Sequence, residues 1–170
     1  MSNTLHFDLI QKIFPLKCLL FDVEGILTLQ YRSLKPPFST DLFYHEDRLA
    51  LMEMIQKEFI IGIISSGETK LLRKTLDDIK VPFIYLGVRD KVAAYEEMKM
   101  ALNLEPHQFA HMGDGPLDAA LFEKVGFSIS VPNAPVEIQK KALYCTQKEG
   151  GWGAVEEICH LILHYQRGYH

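Results

Sequence analysis

The chain has 170 residues, of which 48% are hydrophobic and 24% charged. This is the composition of one folded domain and not of a disordered or collagen-like chain. Its 18 Lys and Arg against 22 Asp and Glu leave a formal charge of −4, so the basic excess of a nucleic-acid binder is absent. The longest apolar stretch, Phe59 to Ile64, is far short of the ~20 residues of a membrane span.

The first residues, Met1 to His6, lack a basic region followed by an apolar one, so no secretory signal is expected. Leu16–Phe21 is a compact apolar run that ends before a turn signal at Gly25 and reads as a buried strand. The segment of about 28–45 holds Lys35-Pro36-Pro37 and little periodicity, and is read as an inserted hairpin or flap. Leu49–Lys57 has helical spacing, and Phe59–Ile64 is a second buried strand. Thr69–Ile79 is an amphipathic helix, Phe83–Leu86 a third strand, and Val92–Leu102 a helix rich in strong helix formers. A helical turn begins near Pro106. Phe109–Met112 is the fourth strand, Leu117–Val125 a helix, and Phe127–Val131 the fifth strand. Val136–Ala142 is helical, Leu143–Thr146 a short strand, and Ala154–Gln166 the closing helix. Strand alternating with helix at this rhythm predicts a single α/β domain, a Rossmann-like doubly wound parallel sheet with helices on both faces.

The three cysteines, Cys18, Cys145 and Cys159, are odd in number and none forms a Cys-x-x-Cys pair. No disulfide framework or structural zinc site is expected, and the reading is a thiol-containing protein of the cytoplasm. His160 and His164 lie one helical turn apart without the acidic partner of a metalloprotease pattern, and His107 and His111 read as satisfied or solvated.

In open α/β sheets, ligands bind beyond the carboxyl ends of the strands. The first strand is followed by Asp22-Val23-Glu24-Gly25 and the second by Ser65-Ser66-Gly67-Glu68. Lys91 follows the third, and Gly113-Asp114-Gly115-Pro116-Leu117-Asp118 follows the fourth. Each element alone is an ordinary cap or turn. Together they suit phosphoryl transfer through an aspartyl-phosphate. Asp22 is the candidate nucleophile. Glu24, two residues on, is the candidate acid toward the leaving alkoxide and base toward water. Lys91 offers positive charge to Asp22 and to phosphate oxygens. Ser65 or Ser66, with the backbone at Gly67, can hold the other oxygens. Asp114 and Asp118 can hold Mg2+ or orient its waters.

The order Asp-x-Glu-Gly-x-x-Thr at 22–28, then Ser, then Lys91, then Gly-Asp-x-x-x-Asp at 113–118 resembles the haloacid dehalogenase-like phosphatases. Gly87-Val88-Arg89-Asp90-Lys91 and Gly150-Gly151-Trp152-Gly153-Ala154-Val155 are more specific. They resemble the capless 3-deoxy-D-manno-octulosonate 8-phosphate phosphatases and the related nonulosonate 9-phosphate phosphatases, over about residues 14–163. The resemblance implies no large cap domain, a β-hairpin flap after the first motif and a homotetramer. It also implies Mg2+-dependent hydrolysis of a phosphorylated sugar acid. The metal ligands it implies are Asp22, the backbone carbonyl of Glu24, and Asp114, with Asp118 at the second acidic position.

Four features depart from that pattern. Glu24 stands where Asp is usual, although enolase-phosphatases of the same superfamily carry Glu there. Gly115 replaces a second Asp, Asp47-Arg48-Leu49-Ala50 replaces a glycine-rich string, and Glu68 stands where the second motif often has Arg. A gapless spacing to Gly87 favours Ser65 as the phosphate-binding hydroxyl, whereas a one-residue shift gives Ser66 and a Ser-Gly-Glu string nearer the nonulosonate branch. The alternatives are therefore a nonulosonate 9-phosphate phosphatase, or a catalytically weakened homologue acting as an oligomeric binding module. A phospho-accepting receiver domain is disfavoured because Lys91 precedes the second acidic pair.

Overall fold

A computed structural model of the protein describes residues 3–29 and 42–167. Six strands are described: β1 (Cys18–Phe21), β2 (Ile60–Ile64), β3 (Phe83–Tyr85), β4 (Phe109–Met112), β5 (Phe127–Ser130) and β6 (Tyr144–Cys145). They form one all-parallel sheet in the order β3-β2-β1-β4-β5-β6. The helices are α1 (Asn3–Ile13), α2 (His45–Gln56), α3 (Lys70–Ile79), α4 (Lys91–Leu102), α5 (Pro116–Phe122), α6 (Val136–Gln139) and α7 (Ala154–Arg167), with a 3-10 turn at Pro106–Gln108.

The continuous apolar runs are the sequence's answer to a sheet covered on both faces. Alternation along β1 divides the core. Leu19 and Phe21 join Met54 of α2, Leu76 of α3 and Ile158 and Ile162 of α7. Cys18 and Leu20 face Ala94, Tyr95 and Met98 of α4 on the other side. Local chemistry sets the helix ends. Thr69 Oγ1 accepts the Leu72 N–H at 3.1 Å and Asp90 Oδ1 accepts the Ala93 N–H at 3.0 Å, so α3 and α4 begin at a side-chain cap. The order runs outward from β1 to β3 and then returns to β4 on the other side of β1. The reversal opens a crevice beyond the ends of β1 and β4.

The predicted strands are present with ends trimmed by up to two residues. Helix α1 was not expected from the sequence. It buries Ile13 and leans on α7, where Gln166 Nε2 donates to the carbonyls of Ile13 and Leu16 at 3.1 and 3.0 Å. Helix α2 begins at His45 instead of Leu49, and α6 stops at Gln139. Most of the expected flap, residues 30–41, lies outside the described residues. No helix among the described residues is long and apolar enough to cross a membrane.

Candidate active site

The Asp22 N–H donates to the Met112 carbonyl at 3.0 Å, continuing the β1–β4 ladder by one step and setting Asp22 beside Gly113-Asp114. The chain then winds around one acceptor. The Val23 carbonyl takes the N–H groups of Ile26, Leu27 and Thr28 at 3.1, 2.8 and 3.0 Å. Gly25 sits at φ +80°, and a Cβ there would collide with the Asp114 carboxylate. The position therefore requires glycine on two grounds, left-handed backbone and close approach. A Cβ on Gly113 would likewise collide with Asp118.

Behind this turn lies the Gly-Gly-x-Gly string. The Gly151 N–H donates to the Ile26 carbonyl at 2.8 Å, and a Cβ on Gly150 would collide with the Gly25 carbonyl. Asp47, fully buried on α2, anchors the far end. It accepts the N–H groups of Gly153 and Glu156 at 3.3 and 2.9 Å and so caps α7 from 106 residues away. Burial pushes its carboxyl up to about 6, against the pull of those two N–H donors.

At the crevice floor, Lys91 opens α4 and is 3% exposed. Its Nζ lies 3.0 Å from Asp22 Oδ1 and 2.7 Å from Asp118 Oδ1. Asp22 Oδ1 also takes the Val23 N–H at 2.8 Å. Asp118 is saturated. Its Oδ1 also contacts His111 Nε2 at 2.9 Å, and its Oδ2 takes the N–H groups of Asp114 and Gly115, both at 3.1 Å. Burial opposes ionisation of Asp118, but His111 and Lys91 outweigh it and hold the carboxyl well below the usual range. Asp22 moves the other way, raised first by burial and then by Asp118, against the pull of Lys91. Burial pushes Asp114 up to about 6. Burial would lower Lys91, but Asp22 and Asp118 together raise it.

Carboxylate oxygens of Asp22, Asp114 and Asp118 lie within 4.8 Å of one another, all buried. Three carboxylates against one ammonium leave the pocket short of positive charge. Hard oxygen donors in a buried anionic pocket fit a divalent cation of the Mg2+ type.

The second motif borders this pocket. Ser65 is buried at the end of β2, and its Oγ accepts the Gly67 N–H at 3.1 Å. Ser66 is exposed. A Cβ on Gly67 would lie 2.9 Å from Glu24 Oε1, so the Glu24 side chain spans from the first motif to the second. Glu68 is exposed, 3.6 Å from the Arg73 guanidinium.

The fold thus gathers Asp22, Lys91, Asp114 and Asp118 into one cluster and brings Glu24, Ser65 and Gly67 to its border, whereas Ser66 faces solvent. Two residues gained weight only in the structure, Asp47 and His111. His111 read as a satisfied or solvated histidine; it is fully buried, with one ring nitrogen on Asp118. Its only sequence signal is its place on a buried strand two residues before Gly113. His160 stays exposed between Glu53 and Glu156, at 3.8 Å from each.

A haloacid dehalogenase-like hydrolase family model matches residues 80–158. The 3-deoxy-D-manno-octulosonate 8-phosphate phosphatase of Yersinia pestis is 31% identical over 96% of this chain and 92% of its own. That of Escherichia coli K12 is 28% identical over 92% of this chain and 84% of its own. Among solved structures, the Moraxella catarrhalis phosphatase, in complex with magnesium, phosphate and 3-deoxy-D-manno-octulosonate (KDO), superposes with a TM-score of 0.85 at 30% identity. The match covers 99% of this chain and 95% of that one. A parallel sheet with its acidic cluster at the switch point, and identity at this level along nearly the whole length, lead to one assignment. The chain belongs to the 3-deoxy-D-manno-octulosonate 8-phosphate phosphatase family of the haloacid dehalogenase-like hydrolases and is a phosphatase.

Proposed function

We propose that the chain hydrolyses 3-deoxy-D-manno-octulosonate 8-phosphate through a covalent aspartyl-phosphate on Asp22, with Mg2+ as cofactor. One observation carries the chemistry: Lys91 bridges Asp22 and Asp118 beside Asp114, at the paired ends of β1 and β4. Asp22 is held at Oδ1 by Lys91 and the Val23 N–H, and presents its second oxygen to phosphorus. Asp22, Asp114 and the backbone carbonyl of Glu24 would ligate Mg2+. Asp118, its oxygens already taken by protein donors, orients Lys91 and the Gly113–Gly115 loop. Bound there, the cation supplies charge compensation between the carboxylate and the incoming phosphate.

Ser65 and the backbone near Gly67 hold phosphate oxygens, with Ser66 left to solvent. Glu24 gives its proton to the leaving alkoxide as the Asp22–P bond forms, then takes one from the water that hydrolyses the acyl phosphate. Assembly into a homotetramer completes the reading, as does a place in the cytoplasm with three cysteines free of disulfides.

The test is phosphate release from this substrate with and without Mg2+, beside a nonulosonate 9-phosphate and an aryl phosphate. Mg2+-dependent turnover strongly favouring the octulosonate ester supports the proposal. Preference for the nonulosonate ester would move the chain to that branch, which the Ser66-Gly67-Glu68 string favours. No turnover by a folded, Mg2+-binding chain would favour the weakened binding module. Glu24→Asp sharpens this last point. An active site fitted to Glu loses up to about 100-fold in rate when the carboxyl retreats by one methylene. A large gain in turnover would mark the natural site as impaired.

A further inference from the structure

His111 is the one fully buried histidine among the described residues. It lies on β4, and its ring packs 6.0 Å from Phe122 at a tilt of 51°. Nε2 lies 2.9 Å from Asp118 Oδ1, the oxygen that also takes Lys91 Nζ at 2.7 Å. Nδ1 has no partner among the described residues. A buried ring nitrogen left unpaired weakens the fold, so something other than packing accounts for a histidine here.

Lys91 is shared between Asp118 and the candidate nucleophile Asp22, at 2.7 and 3.0 Å. Were Lys91 the sole donor to Asp118 Oδ1, the buried ammonium and carboxylate would close on each other, and the contact to Asp22 would lengthen. A second donor on the same oxygen reduces that pull. Asp118 accepts from two backbone N–H groups at its other oxygen and from Lys91, so the ring nitrogen facing it is the one that carries hydrogen.

We propose that His111 is a positioning residue for phosphoryl transfer. It donates from Nε2 to Asp118 and so keeps Lys91 shared with Asp22. This rests on the phosphatase reading above. It predicts an effect on the chemical step without an effect on substrate binding, because His111 is fully buried on β4 and acts through Asp118.

His111→Met and His111→Gln form a matched pair, similar in length and shape, of which only Gln keeps a donor near the Nε2 position. Expected for His111→Met is a loss of about 10- to 100-fold in kcat with KM unchanged, the size seen for groups that orient active-site ligands. His111→Gln recovers most of that loss. Full kcat in His111→Met, equal losses in both variants, or a raised KM in place of a lowered kcat would each overturn the proposal.

One readout needs neither variant nor turnover. Long-range 1H–15N spectra of the histidine-labelled chain should show His111 with hydrogen on Nε2 and none on Nδ1; the reverse pattern would overturn the hydrogen bond. Absence of phosphate release by the natural chain would instead overturn the phosphatase reading and this inference with it.

Discussion

The two halves of the site are built differently. Beyond β1 and β4, Asp22, Lys91, Asp114 and Asp118 are buried and joined by short polar contacts, and Asp118 alone answers four donors. Beyond β2 and β3, Ser65 is buried, but Ser66 and Glu68 face solvent and Glu68 meets Arg73 across a loose 3.6 Å. The first half handles charge, and charge in a low-dielectric pocket must be compensated in place. In the second half the exposed residues can differ without exposing a buried charge. The contrast teaches where change is tolerated: on the proposed function, the interlocked half would carry the nucleophile and the cation, and the exposed residues of the open half would discriminate between substrates.

Substitutions that break the interlocked half should have the largest effects. Asp22→Asn removes the proposed nucleophile and should cut phosphate release by more than about 1,000-fold, with the far-ultraviolet spectrum of the folded chain retained. Retained turnover would take the reaction away from this cluster. Lys91→Met removes the ammonium that bridges two buried carboxylates. A loss of about 100- to 1,000-fold in kcat is expected, together with a lowered thermal midpoint in Mg2+-free buffer that Mg2+ partly restores.

A third prediction concerns cation and proton together. Burial raises Asp22, and raises Asp114 to about 6, above the ordinary carboxylate value. For groups raised in the folded state, the stability they contribute is present at low pH and lost as pH rises through the folded value. Protons and Mg2+ therefore compete for the same oxygens. Mg2+ should raise the thermal midpoint more at about pH 7.5 than at about pH 5, measured by differential scanning fluorimetry. An equal rise at both would mean that these carboxylates are not the ligands.

The smallest effect belongs to the open half. Glu68→Gln should leave aryl phosphate turnover and the thermal midpoint nearly unchanged, since exposed pairs such as Glu68–Arg73 contribute only about 0–1 kcal/mol. It should shift the ratio of kcat/KM between the two sugar-acid phosphates. An unchanged ratio would remove Glu68 from substrate selection and weaken the contrast between the halves.

Much of this was legible in the chain because β1, β2 and β4 are each followed at once by polar candidates and Lys91 opens the helix after β3. Apolar runs such as Cys18–Phe21 and Phe109–Met112 mark strands buried on both faces, and the alternation with helices fixes a parallel sheet. Asp22, Lys91, Asp114 and Asp118 could be named from order and spacing, because parallel strands deliver every carboxyl end to the same edge. The Thr69 and Asp90 caps are equally local, each acceptor lying three residues before its donor. What stayed illegible depends on partners distant along the chain. Helix α1 is stabilised by docking on α7, so its own residues announce it weakly. Asp47 gains its role by meeting α7 across 106 residues. Gapless spacing to Gly87 favoured Ser65 over Ser66, but only the fold shows that Ser65 is buried and Ser66 exposed. His111 looked ordinary because its meaning lies in an oxygen it shares with Lys91. Sequence determines what is written in neighbouring residues, namely strand, cap and motif. Tertiary structure alone decided which buried charges share one atom, because that depends on distances no spacing along the chain encodes.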